Sequence, residues 1–443
     1  MRKYKKKELL EIIKTLLQEN DAIRTYIQRE EEGSIVETLI ECQRVGIQIG
    51  EKIEEAEGEG TRTVTLLEQY CEMIYQLSMS LENKELFGKL FKKMNDILQE
   101  ISYSIISDIP EAKKEIIFLP YKASMWDSFE SIWIAAKEDA DCNVSVIPIP
   151  YFDKKSNGTL GQIHYEGNEY PEYVSIISWE EYSLKENHPD IAYIHNPYDN
   201  CNNVTSIHPA FYAKELKKYV DTLVYIPYFV TFDNVPEHLC VLPGAMYADK
   251  VIVHSEKVKD IYIEEFRKFE EENNCKGIFG DIEEKFLALG SPKLDKIAST
   301  IREDVEIPEV WKRFIIKPDG TRKKVVFYNT TLQSLLDGNE AYLKKLQGVL
   351  DSFYNKRDDI TLLWRPHPLM ETTISSMRPK LSGIYKNMVN QFKTRDYGIY
   401  DDTADLYRAI AVSDAYYGDW SSIVVMYKMT GKPCMIQNIG VRT

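Results

Sequence analysis

The chain has 443 residues, 44% hydrophobic and 28% charged, with a formal net charge of −15 and a pI near 5.2. That length is too great for one ordinary core and predicts two or three folded domains, and the hydrophobic share excludes a disordered chain. The acidic balance argues against nucleic acid as a partner, because phosphate backbones need a basic face, but it leaves room for a local basic pocket that takes a nucleotide.

Residues 1–108 read as helical. Leu9, Leu10, Ile12, Ile13, Leu16 and Leu17 recur at three- and four-residue spacing, and Ile35, Leu39, Ile40 and Ile47 continue it. Glu55 to Thr61 carries two glycines and breaks the pattern, and Thr65 to Ile106 resumes it. With no phosphate loop and no group of catalytic residue types, this stretch suits an accessory domain for homodimerisation or acceptor docking. The cations Arg2, Lys3, Lys5, Lys6 and Lys7 form either a solvated helix start or a peripheral contact to an anionic membrane face.

From Glu115 short apolar runs alternate with helical patterns. Strands are predicted at Ile116–Leu119, Val144–Ile147, Val174–Ile177, Ile191–Ile194, Leu223–Ile226 and Val251–Val253, with helices at Ser124–Lys137 and Lys257–Asn274. A second series follows Pro318: strands Lys324–Tyr328, Thr361–Trp364, Ala415–Tyr417 and Cys434–Ile436, with helices Ala341–Tyr354, Asp405–Val412 and Ser422–Met429. Alternation of this kind implies parallel sheets with right-handed crossovers. The expectation is an α/β protein with two Rossmann-like domains facing a cleft, 109–300 and 301–443, preceded by the helical domain 1–108.

Ligands of such sheets sit beyond the carboxyl ends of the strands. There the second series carries Arg365 and His367, each followed by a proline, and Asp419-Trp-Ser421-Ser422 where a strand becomes a helix. A helix's first turn offers free N–H groups to an anion, and the two hydroxyls can donate to phosphate oxygens. The alternative is ordinary N-capping by Asp or Ser. Arg365 could stabilise charge on a leaving phosphate and His367 could protonate it, or Arg365 could pair with Asp405 or Asp414. Thr330 and Thr331 follow the strand before them as a phosphate contact or a helix cap. In the first series the loops 122–128, 195–200 and 227–233 face the expected cleft. There is no P-loop, no dinucleotide GxGxxG and no GxSxG elbow.

Seven scattered cysteines without a CxxC argue against a disulfide frame or a structural zinc, and no metal site is expected. No run approaches a membrane span and the charged start has no apolar leader core, so the expected location is cytoplasmic, at most at the inner face of the membrane.

Three segments resemble the CDP-glycerol glycerophosphotransferase family of teichoic acid-type polymer synthesis. They are Gly290-Ser-Pro292-Lys293-Leu-Asp295, Trp364-Arg365-Pro366-His367-Pro368, and the stretch from Asp405 through Asp419-Trp-Ser421-Ser422 to Lys432-Pro433. The resemblance implies a GT-B fold and transfer of glycerol phosphate, or a related phospho-polyol, from a CDP-linked donor to a hydroxyl of a polymer or lipid-linked sugar, with no cofactor required. It places Arg365, Asp419, Ser421, Ser422, Thr330 and Thr331 on the donor and His367 at the leaving group. The family's tryptophan-histidine-glycine element, whose histidine is its proposed base, is replaced here by Ile226-Pro227-Tyr228. His195 is the nearest substitute as base, with Asp127 and Asp199 behind it; Asp127 could equally cap the helix that follows. The altered first half keeps two alternatives open: a nucleotide-sugar glycosyltransferase on the same scaffold, and a degenerate, non-catalytic nucleotide- or polymer-binding relative.

Overall fold

The computed structural model describes residues 1–437 apart from 156, 232–234 and 404. The chain divides into two compact units. The first comprises Met1–Ile116 with Asp139–Asn143 and Leu184–Ile191, and the second Ile117–Glu138, Val144–Ser183 and the chain from Ala192 onward.

The first unit is built on four helices: α1 (Lys3–Arg29), α2 (Glu32–Glu57), α3 (Arg62–Ser78) and α4 (Lys84–Ser107). Their apolar stripes close on one core around Leu9, Ile13, Leu39, Leu67, Tyr70, Met94 and Ile101. The glycine break acts as expected. α2 ends at Gly58, whose φ of 86° a side chain would oppose, and the Thr61 hydroxyl caps α3 by accepting the Val64 N–H at 3.2 Å. Asn83 does the same for α4 through Leu86 N–H at 3.1 Å. Part of the basic start is committed to the fold. Lys6 is buried and donates to Ile109 O, and Arg2 donates to Asn187 O and His188 O, whereas Lys3, Lys5 and Lys7 are exposed. Among the described residues no helix is long and apolar enough to cross a membrane.

In chain order the α/β elements are β1 (Lys114–Leu119), α5 (Glu130–Glu138), β2 (Cys142–Val146), β3 (Tyr151–Lys154), β4 (Leu160–His164), α6 (Leu184–Asn187), β5 (Ile191–Ile194), β6 (Thr205–Ile207), α7 (Ala213–Leu216), β7 (Thr222–Tyr225), α8 (Pro243–Tyr247), β8 (Lys250–Val253), α9 (Glu256–Glu272), α10 (Ile282–Lys285), β9 (Phe286–Ala288) and α11 (Pro292–Ser299). They continue as α12 (Glu309–Ile315), β10 (Lys324–Thr330), α13 (Leu332–Tyr354), β11 (Ile360–Pro366), α14 (Met370–Met377), α15 (Pro379–Arg395), β12 (Ile399–Tyr400), α16 (Leu406–Val412), β13 (Ala415–Gly418), α17 (Ser422–Lys428) and β14 (Cys434–Ile436).

Two sheets result, each doubly wound. The first runs β2-β1-β5-β7-β8-β9, and the second, parallel throughout, runs β12-β11-β10-β13-β14. Counted within itself the second sheet has the order 3-2-1-4-5, so its winding reverses between β10 and β13. In the first sheet the reversal lies between β1 and β5. Such reversal points open the crevices in which these folds bind ligands. Two successive Rossmann-like sheets make the architecture α/β and GT-B-like, with a helical region before it. A small antiparallel sheet, β4-β3-β6, follows the end of β2. The strand expected at Val174–Ile177 is reduced to one bridge, Val146 with Ile176, because the chain turns away where Glu181 N–H bonds Ser178 O.

The second sheet is filled on both faces. Trp364, Tyr328, Tyr342 and Phe392 pack under α13 and α15, and Phe327, Leu363, Val412, Val424 and Tyr427 pack under α16 and α17. β13 approaches β10 so closely that a Cβ on Gly418 would lie 2.3 Å from Asn329 O. Only glycine fits there.

Candidate functional site

The second sheet's reversal point gathers most of the residues singled out from the sequence. Asp419 follows β13 and is 1% exposed. Its carboxylate accepts the Thr331 N–H at 2.7 Å, the Tyr342 hydroxyl at 2.7 Å, the Thr331 hydroxyl at 3.3 Å and the Gln437 amide. Burial, with Tyr328 and Asp419 beside it, pushes the Tyr342 phenol far up, so it remains a donor. Asp419 therefore joins the ends of β10, β13 and β14 to the start of α13. Four protein donors already occupy it.

Ser421 stands at the start of α17 without capping it; its Oγ accepts the Asn329 amide at 3.1 Å. Ser422 is exposed in the first turn. Thr330 is buried and accepts the Trp364 indole N–H at 3.1 Å, so its hydroxyl faces the core. Thr331 caps α13 by accepting the Ser334 N–H at 3.3 Å. Its hydroxyl is half-buried at the strand end.

Arg365 ends β11 nearly buried. It forms an ion pair with Asp401, which is wholly buried, and donates to Thr403 O at 2.7 Å. Its carboxylate partner is thus Asp401, not Asp405 or Asp414. Asp405 caps α16 through Arg408 N–H at 2.9 Å, and Asp414 holds Arg302 at 2.9 Å and Arg322 at 2.6 Å. His367 N–H bonds Thr330 O at 2.9 Å, which locks the two strand ends together. The His367 Nδ1 accepts the Leu369 N–H at 3.1 Å, so the neutral ring carries its hydrogen on Nε2. Burial lowers this imidazole from its ordinary 6.5. Near neutral pH it is a hydrogen-bond donor rather than a cation.

The first sheet's residues are arranged differently. His195 has no solvent exposure. Its Nε2 accepts the Tyr121 N–H at 3.0 Å, its Nδ1 meets the Ser128 hydroxyl at 2.8 Å, and its ring stacks on Phe129 at 4.7 Å. Burial, then the charge of Lys293, pushes it down to about 3. As placed, both nitrogens are engaged and no acceptor hydroxyl can reach the ring. Asp127 pairs with Lys293 at 2.9 Å and accepts the Tyr407 hydroxyl at 2.5 Å. Asp199 is buried with φ 48°, accepts the Ala213 N–H at 2.9 Å, and is pushed up to about 7 by burial. Asp233, at the end of the third loop, lies outside the described residues.

α11 packs on both α/β halves: its Ile297 joins the core of the second sheet, while Lys293 pairs with Asp127, Lys296 pairs with Glu130 at 2.6 Å and Asp295 accepts the Ser131 hydroxyl at 2.8 Å; the Tyr407 hydroxyl on Asp127 completes this seam. The Gly290–Asp295 segment is thus the start of α11, turned by Gly290 at φ 101°, and it ties the halves together. Lys432 donates to the carbonyls of Ile410, Ala411 and Ser413 and closes α16. Among the described residues no three His, Cys, Asp or Glu side chains gather as a metal-binding group.

Residues 249–439 match the family model described as CDP-glycerol:poly(glycerophosphate) glycerophosphotransferase. The match lies in the C-terminal region, which is similar to that family. The match covers α11, the Arg365–His367 strand end and the Asp419–Ser422 turn. No curated protein matches the chain. Among solved structures it is similar to a Listeria monocytogenes protein described as a UDP-N-acetylglucosamine 2-epimerase, with 11% identity, 74% of this chain and 80% of that chain covered, and a TM-score of 0.48. It is also similar to the wall teichoic acid polymerase TagF, with 16% identity, coverage of 79% and 78%, and a TM-score of 0.42.

Sequence reading missed Asp401, Asn329, Tyr342 and Gln437. Only Asn329 carried a signal, since it precedes Thr330 at a strand end. The other three act over separations of 36, 77 and 18 residues.

Proposed function

We propose that the chain transfers glycerol phosphate, or a related phospho-polyol, from a CDP-linked donor to a hydroxyl of a cell-surface polymer or lipid-linked sugar. The observation that carries this reading is the gathering of Thr331, Arg365, His367, Ser421 and Ser422 at the reversal point of a 3-2-1-4-5 sheet, inside the stretch that matches the glycerophosphotransferase family. In this reading Ser421 and Ser422 donate hydroxyls to the diphosphate, Thr331 holds the strand end with its hydroxyl turned to Asp419, and the His367 Nε2–H donates to the leaving phosphate. Asp419, as an acceptor already saturated, shapes the loop rather than touching an anion. Arg365 contributes a planar donor set whose charge Asp401 partly offsets. The acceptor oxygen attacks the β-phosphorus, the bond from that phosphorus to the bridging oxygen breaks, and CMP leaves with the electron pair. The reading requires no metal, because these donors meet the developing charge.

The test is a thermal-shift panel of CDP-glycerol, CDP-ribitol, CDP, CMP, UDP, UDP-glucose and GDP, with and without EDTA. A ligand at 100 times its Kd adds about 2.7 kcal/mol. Stabilisation by cytidine diphosphates, lost in Ser421→Ala/Ser422→Ala, is the expected result. Preference for UDP or GDP moves the assignment to a nucleotide-sugar transferase. The neutral, enclosed His195 and the replaced tryptophan-histidine-glycine element favour a second reading, a relative that binds donor without turnover; donor binding with no transfer to any acceptor would select it.

A further inference from the structure

The first α/β half lacks a base at the family's usual place, and His195 is enclosed. A different histidine stands at the carboxyl end of its sheet. After β2 the chain stays beside the end of β1, with Ile147 N–H on Phe118 O and Ile149 N–H on Pro120 O, both 2.9 Å. It then enters β3 and turns back through β4. In this antiparallel pair Tyr151 stands opposite His164. The His164 Nε2 lies 2.7 Å from Asp153 Oδ2, and the imidazole stacks on Tyr151 at 5.2 Å with an interplanar angle of 23°. A carboxylate only accepts, so Nε2 carries the hydrogen and Nδ1 is the basic nitrogen. Gly161 makes room for this. A Cβ there would stand 3.1 Å from Asp153 O and 3.6 Å from the Asp153 Cβ.

The dyad is tied to the reversal point by a run of aromatic contacts. Tyr151 meets Tyr121 edge-on at 5.4 Å, and Tyr121 meets His195 at 5.7 Å. Tyr121 lies two residues past the end of β1, with its N–H on His195 just past β5, where the sheet reverses. The Lys122 ammonium sits 5.0 Å from the Tyr151 ring and 5.6 Å from the Tyr121 ring. Nearby Glu166 has one oxygen on the Ala123 N–H at 2.8 Å and the other on the Tyr151 hydroxyl at 2.7 Å. A cation and an oriented imidazole thus both pack against the Tyr151 ring. His164 is a third exposed and Asp153 more than half, so a ligand can reach both.

We propose that His164, oriented by Asp153, is the general base that deprotonates the acceptor hydroxyl, and that Lys122 holds an anionic group of that acceptor, as a phosphodiester supplies. This rests on the transferase reading above. The His164 Nδ1 takes the hydroxyl proton as the acceptor oxygen forms its bond to the β-phosphorus, while the bridging oxygen departs as CMP. His164 is the catalytic residue and Asp153 a positioning residue. The charged and titratable groups around the ring are Asp153 and Tyr151, then Glu166 and Lys122.

The probe is a synthetic glycerol phosphate oligomer with CDP-glycerol as donor. His164→Gln should bind the donor as the parent does and lose on the order of 10²- to 10⁴-fold in acceptor-dependent CMP release, the usual contribution of a positioned base. Asp153→Asn should lower kcat with KM for the oligomer little changed, and Asp153→Glu should recover part of it, which a purely structural pair would not do. Lys122→Met should raise KM for the oligomer with kcat little changed. Independently of turnover, the ring resonances of His164 in the parent protein should move on titration with the oligomer alone. Parent-level transfer by His164→Gln overturns the proposal, as do resonances unmoved by millimolar oligomer. A parent that fails to bind CDP-glycerol would instead remove the transferase reading, and the oligomer titration would still decide whether the dyad meets an acceptor.

Discussion

Asp419 is the sharpest test of how the donor site is built. Its replacement by alanine removes the acceptor of four hydrogen bonds. The Thr331 N–H and hydroxyl lie near the surface and can turn to water. Tyr342 is 1% exposed and Gln437 6%, so their donors lose the carboxylate with no water to replace it. Each buried donor left unpaired costs about 1–3 kcal/mol, so the two together cost about 2–6 kcal/mol. Trp364 is fully buried in the same sheet and reports its unfolding. Urea titration followed by tryptophan fluorescence should show a lower midpoint for Asp419→Ala with an unchanged slope. Ser421→Ala should leave the midpoint within about 0.5 kcal/mol and instead weaken CDP binding. An Asp419→Ala protein as stable as its parent would refute the reasoning that Asp419 is spent on the fold.

Three further outcomes are expected. Gly418→Ala should prevent stable folding, since its Cβ would meet Asn329 O at 2.3 Å, whereas Gly383→Ala, in open space on α15, should be neutral or add up to about 1 kcal/mol; melting curves of the two distinguish them. His195 is held at about 3 and so contributes stability above its unfolded value near 6.5 that is lost as pH falls toward 3; Asp199, held at about 7, contributes stability below its unfolded value near 3.8 that is lost as pH rises through 7. Between pH 4 and 6.5 the two slopes oppose each other at about 1.4 kcal/mol per unit, so Asp199→Asn should lose stability on acidification relative to the parent and His195→Asn should gain it, as read by denaturation at stepped pH. Lys293→Met should leave Asp127 without its cation and cost about 1–3 kcal/mol, after discounting for partial exposure; a double-mutant cycle with Asp127→Leu should recover most of that loss.

Local patterns carried the fold because they depend on near neighbours. The three-four spacing of Leu9 to Leu17, the glycines before Thr61, and the strands ending at Trp364 and Ile436 all reappear within a few residues of where periodicity and turn chemistry put them. The β3-β4-β6 sheet was invisible for the opposite reason. Its strands are short, and one of them, β6, pairs with β3 across about fifty residues of chain. The candidate site was half legible. Strand ends marked Arg365, His367 and Ser421, but the partners that decide what those side chains can still do come from elsewhere. Arg365 looks like a free cation until Asp401 is beside it, and His195 looks like a loop base until Tyr121 and Ser128 take its nitrogens.

The Arg365–Asp401 pair also bears on how a donor arrives. A nucleoside diphosphate approaching a chain of net charge −15 moves against the overall field. The most prominent cation at the strand ends, closed on a buried carboxylate, presents a dipole rather than a monopole. Long-range attraction is then slight, and capture depends on contacts made within hydrogen-bonding distance. Association should therefore be slow at low ionic strength and faster as salt screens the repulsion, with affinity residing in the dissociation rate.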